Sequence, residues 1–295
     1  MNIIAIVVTY NRCDLLRECL DAIQAMSDVK PSKVIVVNNA SNDGTEAFLI
    51  QISKNPFFEI VTLEKNIGGA GGFAYGMRLA VQQGCDYVWL MDDDTIPQIN
   101  SLAKLCEKVQ INDNVGFVSS HVVWTNGADH IMNRPTQISQ IDGPSGCQLL
   151  KSSSFVSIMV KSEVIKRIGL PYKEFFIWLD DSEYTQRIVK KGYKGLYATD
   201  SIVIQKTKEN YGPTIAHAPV STAWKFYYAQ RNSIFMNRQK YRNMIVLVVK
   251  ELNHLRLAFH NINKRPTSER AIFRKFILKG FRDGFSFKPQ IEYVQ

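Results

Sequence analysis

Four apolar, β-branched runs, each followed by a segment of helical spacing, set the limits on what this chain can become. IIAIVVTY (3–10) precedes NRCDLLRECLDAIQAM, where Leu15, Leu16, Cys19, Leu20 and Ile23 recur at helical intervals. KVIVVNN (33–39) leads into ASNDGTEAFLIQI, and EIVTL (59–63) into NIGGAGGFAYGMRLAVQQG; DYVWLMDDD (86–94) is the fourth run. Near-continuous apolar strands are buried on both faces, as in a parallel sheet covered by helices. The alternation predicts an α/β, doubly wound, mostly parallel sheet. Such sheets bind ligands beyond the C-terminal ends of their strands. The polar clusters TYNR, NNASND, EKNIGG and DDD all fall at those ends, so one rim is expected to carry the site.

Charge divides the chain. Residues 206–295 hold 17 Lys+Arg against 5 Asp+Glu, whereas the whole chain is only +9. A near-neutral body therefore carries a basic C-terminal region that reads as mainly helical. That excess suits anionic lipid headgroups or a phosphate-bearing substrate. Nucleic acid is not expected, because no helix-turn-helix, RNP or zinc-finger pattern is present. The N-terminal stretch lacks the charged region and cleavage site of a signal peptide. No apolar run approaches the roughly 18–20 residues that span a bilayer. The five cysteines form no CxxC pair, so reduced thiols are expected.

Two rim motifs point to chemistry. Gly69-Ala70-Gly71-Gly72-Phe73-Ala74 fits the dinucleotide pattern G-x-G-x-x-G/A, which makes a nicotinamide oxidoreductase one rival reading. That fingerprint belongs in the first βα turn, however, and TYNRCD has no glycine. The alternatives are tight helix packing and close approach of a sugar or diphosphate to bare backbone. The second motif is Asp92-Asp93-Asp94. Adjacent carboxylates tolerate one another when a cation sits between them. An extended segment would put Asp92 and Asp94 on one face, with Asp93 pointing away. Oxygen ligands suit Mg²⁺ or Mn²⁺ bridged to substrate phosphates.

VVTYNR, VVNNASNDGT, NIGGAGGFAYGM, WLMDDD, WLDDSEYTQRIVKKGY (178–193) and FYYAQRN (226–232), in this order, resemble family 2 glycosyltransferases of the GT-A fold. The likeness is strongest to bacterial galactofuranosyl- and rhamnosyltransferases of surface polysaccharides such as O-antigen or capsule. It implies a catalytic domain over 1–205, with a nucleotide-sugar half (1–120) and an acceptor half (121–205), and a basic helical region over 206–295. It implies a UDP-sugar donor held by Thr9, Tyr10, Asn11, Asn38, Asn39, Asp43, Asn66, Gly68, Gly69, Gly71, Gly72, Asp92 and Asp93. Relatives commonly have Asp where this chain has Asn38. A divalent cation, Mn²⁺ or Mg²⁺, would be held by Asp92 and Asp94. Many relatives supply a further histidine ligand where this chain has Gln205, with His217 a substitute farther along.

The second acidic cluster, Asp180-Asp181-x-Glu183, opens a helix expected over 180–191. Acidic residues there could simply complement the helix dipole. The family pattern D-x-E puts a general base on Asp181, with Glu183 orienting the acceptor and Asp180 next in line. One in-line displacement with one base inverts the anomeric carbon. Trp178 is a candidate to stack on a sugar, or a core residue; Arg231 is a candidate phosphate contact. The expectation is therefore an inverting hexosyltransferase using UDP-galactofuranose, with rhamnose or another hexose as the alternative. Its acceptor would be a lipid-linked glycan on the cytoplasmic face of the membrane, where the protein would be peripheral. A catalytically inert sugar-nucleotide-binding protein is the rival from outside enzymology.

Overall fold

A computed structural model of the chain describes residues 1–142, 147–210, 212 and 214–294. The apolar runs form β1 (Ile3–Thr9), β2 (Lys33–Asn38), β3 (Phe58–Thr62) and β4 (Tyr87–Asp92), separated by α1 (Cys13–Gln24), α2 (Thr45–Ile52) and α3 (Gly68–Gln82). These strands lie in the order β3-β2-β1-β4, all parallel. β1 explains its own composition. Ile3, Ala5 and Val7 enter one core, while Ile4, Ile6 and Val8 enter another on the opposite face. Side chains alternate across a strand, so a strand covered on both sides must be apolar throughout. α1 supplies Leu16, Cys19, Leu20 and Ile23 to the first core; α3 supplies Phe73, Ala74, Met77 and Ala80 to the second.

Beyond β4 come β5 (Thr95–Pro97), α4 (Ser101–Val109), β6 (Val115–Trp124), β7 (Thr136–Asp142), β8 (Gln148–Ser152), β9 (Ser157–Lys161), α5 (Ser162–Ile168), α6 (Asp180–Lys190) and β10 (Lys194–Gln205). The full order is β3-β2-β1-β4-β9-β6-β10-β8-β7, with β5 paired to β10. β9 runs antiparallel to both β4 and β6, and β10 runs parallel to β6. The sheet is thus doubly covered, mixed and mostly parallel in its first half.

The chain packs as two compact units. One comprises Met1–Lys173, Asp181–Tyr211 and Ile291–Gln295; the other comprises Glu174–Asp180 and Gly212–Gln290. The second unit contains α7 (Lys225–Lys240), α8 (Met244–Asn263) and α9 (Thr267–Gly284) around Ala218, Phe226, Ala258, Ile262, Phe273 and Ile277. No helix among the described residues is long and apolar enough to cross a membrane. All five cysteines are free thiols.

Candidate active site

The three aspartates are not in one extended segment. β4 ends at Asp92, and Asp93 and Asp94 form a turn before β5. The turn breaks the alternation, so Asp93 does not point away from its neighbour. Arg12, at the end of the β1–α1 loop, reaches both: its Nη1 lies 3.2 Å from Asp93 Oδ1 and pairs with Asp94 Oδ2. Asp93 also accepts from the Thr9 hydroxyl at 2.8 Å and from the Tyr10 backbone N–H at 3.3 Å. Burial pushes the Asp93 carboxyl up to about 6, with the Arg12 charge pulling the other way. Burial also works to lower the Arg12 pKa, but the charges of Asp94, Asp93 and Asp92 outweigh it and raise the value. Part of the answer to three crowded carboxylates is therefore an internal cation, one residue beyond the Thr9-Tyr10-Asn11 turn. The motif TYNR carried that signal, and the sequence reading passed over its arginine.

Asp94 leads to a buried polar chain. β5 pairs with β10 so that Thr95 sits opposite Gln205. Gln205 Nε2 donates to Asp94 Oδ1 at 3.1 Å, and its Oε1 accepts from Asn133. Asn133 neighbours His130, whose Nε2 lies 3.0 Å from the Thr207 hydroxyl. Burial lowers the His130 pKa, with the Asp94 charge opposing. No local pattern in the sequence marks His130 or Asn133; the β6–β7 connection brings them in. His217, by contrast, is exposed and belongs to the other unit.

The donor atoms fit a hard divalent cation. They are oxygens, and the buried Thr95 hydroxyl beside them has no hydrogen-bond partner. Among the described residues no three His, Cys, Asp or Glu side chains converge. A divalent cation expected at Asp92 and Asp94 would find Asp94 already held by Arg12 and Gln205, and would need substrate phosphates to complete its coordination. Gln205 has to turn its oxygen from Asn133 to join it.

The end of β2 is held by amides. Asn38 is fully buried: its Oδ1 accepts from the Ser41 N–H at 3.0 Å, while its Nδ2 has no partner. Asn39 Nδ2 donates to the Gly68 carbonyl at 3.1 Å and its Oδ1 accepts from Ile67 N–H. Asn11, in the left-handed region at φ 55°, exchanges bonds with the Ser41–Asn42 segment. Asp43 accepts from the N–H groups of Cys13 and Thr45, at the starts of α1 and α2. Asn66 Oδ1 accepts from Gly68 N–H at 2.7 Å, in the turn that leads into α3. The glycines divide by role. Gly68 has φ 77°, which a side chain disfavours. A Cβ on Gly72 would meet Val8 Cγ1 at 2.6 Å, and one on Gly71 would meet Ile67 at 2.8 Å, so both serve packing. A Cβ on Gly69 would meet nothing within 4 Å. Of Gly69, Gly71 and Gly72, Gly69 is therefore the one with open space before it.

At the start of α6, Asp181 Oδ1 accepts from the Ser182 N–H, and burial pushes its carboxyl up to about 6. Its backbone is fixed by Thr185, whose hydroxyl donates to the Asp181 carbonyl at 2.8 Å and accepts from the Ser153 N–H at 3.1 Å. Tyr184 and Ile188, four apart, are fully buried in the second core. Glu183 is engaged elsewhere. Both its oxygens face Arg187, which also donates to the carbonyls of Ile168 and Leu170. This buried pair ties α6 to the carbonyls that follow α5.

In the second unit, Phe176, Trp178 and Leu179 all have φ between 65° and 69°. Left-handed backbone costs such residues roughly 1–2 kcal/mol each. Asn232 offsets this cost by donating to the carbonyls of Phe175, Ile177 and Trp178 at 3.0, 3.3 and 2.9 Å. Arg231 donates to the carbonyls of Glu174 and Phe175 and lies 3.8 Å from the Phe287 ring centre. Its guanidinium is buried and engaged with these carbonyls. Trp178 is partly buried, edge-on to Phe226 at 5.2 Å. Asp180, also buried, closes this segment.

Residues 4–168, more than half of the chain, match the family described as Glycosyl transferase family 2. The chain is 30% identical over 200 residues to galactofuranosyltransferase GlfT1 of Mycolicibacterium smegmatis, covering 64% of this chain and 65% of that protein. It is 24% identical to poly-beta-1,6-N-acetyl-D-glucosamine synthase of Staphylococcus aureus, over 73% of this chain and 47% of that one. It therefore spans about half to two thirds of these relatives. Among solved structures, the mannosyltransferase PcManGT of Pyrobaculum calidifontis, in complex with GDP-Man and Mn²⁺, superposes with a TM-score of 0.59 at 16% identity, over 96% of this chain and 87% of that one. S. aureus TarS 1-349 in complex with UDP-GlcNAc gives 0.57 at 16% identity, over 98% and 74%. With the motif order and the fold in agreement, this chain belongs to glycosyltransferase family 2.

Proposed function

We propose that this chain is an inverting hexosyltransferase that moves galactofuranose from UDP-galactofuranose to a lipid-linked glycan. The observation that carries the reading is the Thr9–Asp93–Arg12–Asp94–Gln205 network at the strand ends. It assembles, on one rim, a hydroxyl, a cation and carboxylates suited to a nucleoside diphosphate. The donor sugar is supported by the 30% identity to a galactofuranosyltransferase. The likeness to a poly-N-acetylglucosamine synthase favours N-acetylglucosamine as a second donor.

In this mechanism the acceptor hydroxyl oxygen attacks the anomeric carbon as the bond from that carbon to the diphosphate oxygen breaks. Asp181 takes the acceptor proton, and the electron pair leaves with the diphosphate. A general base near the working pH is efficient, and burial has already raised Asp181 toward it. Arg12 meets charge on the leaving group from the loop that carries Thr9 and Tyr10. A divalent cation, when bound by Asp92 and Asp94, would supply further positive charge to the diphosphate. Glu183 and Arg187 keep the base-bearing helix in place. The basic C-terminal region supports a site of action on the inner membrane surface.

A panel of UDP-, GDP- and TDP-sugars tested by thermal shift with and without Mn²⁺, followed by product analysis, tests the reading. Stabilisation by UDP-galactofuranose above other donors, and a β-to-α or α-to-β change in the product, is the expected result. Stabilisation by NAD alone would overturn it.

A further inference from the structure

The outward face of α8 is apolar where surface helices are usually polar. Ile245, Val249 and Leu252 stand at i, i+4 and i+7 and are 75%, 62% and 50% exposed. Met244 and Val246 widen the patch at 60% and 49%. The helix's other side is filled: Leu247, Ala258 and Ile262 are buried. Asn243 fixes the start of α8, its side chain accepting from Ile245 N–H at 2.9 Å and Val246 N–H at 3.3 Å. The apolar stripe is thus a defined surface of a capped helix.

The stretch of sequence that carries it is charged almost entirely with one sign. From Asn210 to Ser268 the sequence has nine Lys+Arg and a single carboxylate, Glu251. Glu251 is fully buried, bonded to Asn237 at 2.6 Å and near His254. What this stretch presents outward is therefore cationic. Exposed Arg242 and Arg256 bracket the stripe, and Lys250 lies on its flank beside the Tyr241 hydroxyl. A twofold contact would set this patch against its own copy and oppose like charges. An anionic surface with an apolar interior satisfies both features at once. The helix is not apolar enough to span the bilayer, so it would lie along it.

We propose that the outward face of α8 docks the protein on anionic membranes. Ile245, Val249 and Leu252 enter the interface, and Arg242, Lys250 and Arg256 lie at headgroup level. This rests on the membrane-surface part of the proposed function and not on its transfer chemistry.

The test is flotation of the full chain with phosphatidylcholine vesicles, with and without phosphatidylglycerol, at low and high salt. Wild type should float with the anionic vesicles at low salt and detach as salt screens the charges. Ile245→Asp/Val249→Asp should lower partitioning at least tenfold, and Arg242→Ala and Arg256→Ala by about fivefold each. Thermal shift with UDP on the same variants reports an intact fold, and the milder Leu252→Ser serves if the double variant misfolds. If wild type floats with neither vesicle, the membrane reading itself fails. If wild type floats and the α8 variants float equally well, only the α8 surface is overturned. If sedimentation instead reveals a dimer that these substitutions dissolve while flotation is unchanged, a second copy covers the face and the proposal fails.

Discussion

The Thr9 hydroxyl donates to Asp93 at 2.8 Å, joining two residues 84 positions apart at the ends of neighbouring parallel strands. Asp93 is 4% exposed and its carboxyl stands at about 6, above the usual carboxylate range. An acid raised on folding contributes stability below its unfolded pKa and loses it as pH rises through the folded value. Asp93→Asn should therefore gain on wild type by about 2–3 kcal/mol between pH 4 and pH 7. Chemical denaturation of both proteins across that range measures it. A difference independent of pH would mean that Arg12 fully compensates the buried charge.

The glycine loop separates packing from ligand approach by position. Gly72→Ala forces Val8 to move and should cost roughly 1–3 kcal/mol, as overpacking does. Gly69→Ala fills open space. Its thermal midpoint should stay near wild type while UDP-sugar affinity falls several-fold. Retained affinity in Gly69→Ala would leave the loop with packing duties alone.

How much of this was legible beforehand follows from range. The strands, α1 and the buried Tyr184–Ile188 pair follow from local periodicity, so the fold class was readable. The predicted face of Asp93 was wrong because alternation was carried past Asp92 into a turn. Arg231 reads in sequence as a free cation; its burial against Phe287 depends on a contact 56 positions away. Glu183 has the same history, since only the fold brings the carbonyls of Ile168 and Leu170 to its partner Arg187. His130 and Asn133 approach Asp94 through pairing of strands distant in sequence, which no spacing rule reaches.

Asn232 makes a sharp test of the strained segment before α6. Asn232→Ala removes the amide donor from the Ile177 and Trp178 carbonyls, while Phe175 keeps Arg231 and the Ile177 N–H, and a buried unsatisfied group costs about 1–3 kcal/mol. A loss of roughly 3 kcal/mol or more is expected by urea denaturation. Asn232→Asp, of equal size but without the amide donor, should lose as much. If it does not, the amide is not what holds Phe176, Trp178 and Leu179 in the left-handed region.

Asp94 and Gln205 bear on metal use. Asp94→Ala should abolish the increment that Mn²⁺ adds to UDP affinity, read by calorimetry with and without chelator. Gln205→His replaces a weak amide ligand by an imidazole and should raise Mn²⁺ affinity about tenfold or more, within the range by which single partners of a metal site act. Mn²⁺ binding unchanged in both variants would move the cation off Asp94 and Gln205.

Asp181 carries the proposed chemistry. With its carboxyl at about 6, it must be ionised to accept a proton, so kcat/KM should rise with pH through about 6 and then level. Asp181→Asn keeps the size and can still accept from the Ser182 N–H, but it is no base. Positioned bases contribute about 10²–10⁴-fold, so transfer should fall by that order and the acid limb near 6 should vanish. UDP affinity should hold, because no donor-binding residue is altered. The measurement is paired: calorimetry for UDP and product formation across pH for the same variant. Transfer near the wild-type rate would send the base to Asp180. Loss of UDP binding together with transfer would instead mean that Asp181 serves the fold at the start of α6, because a missing base leaves the donor site untouched.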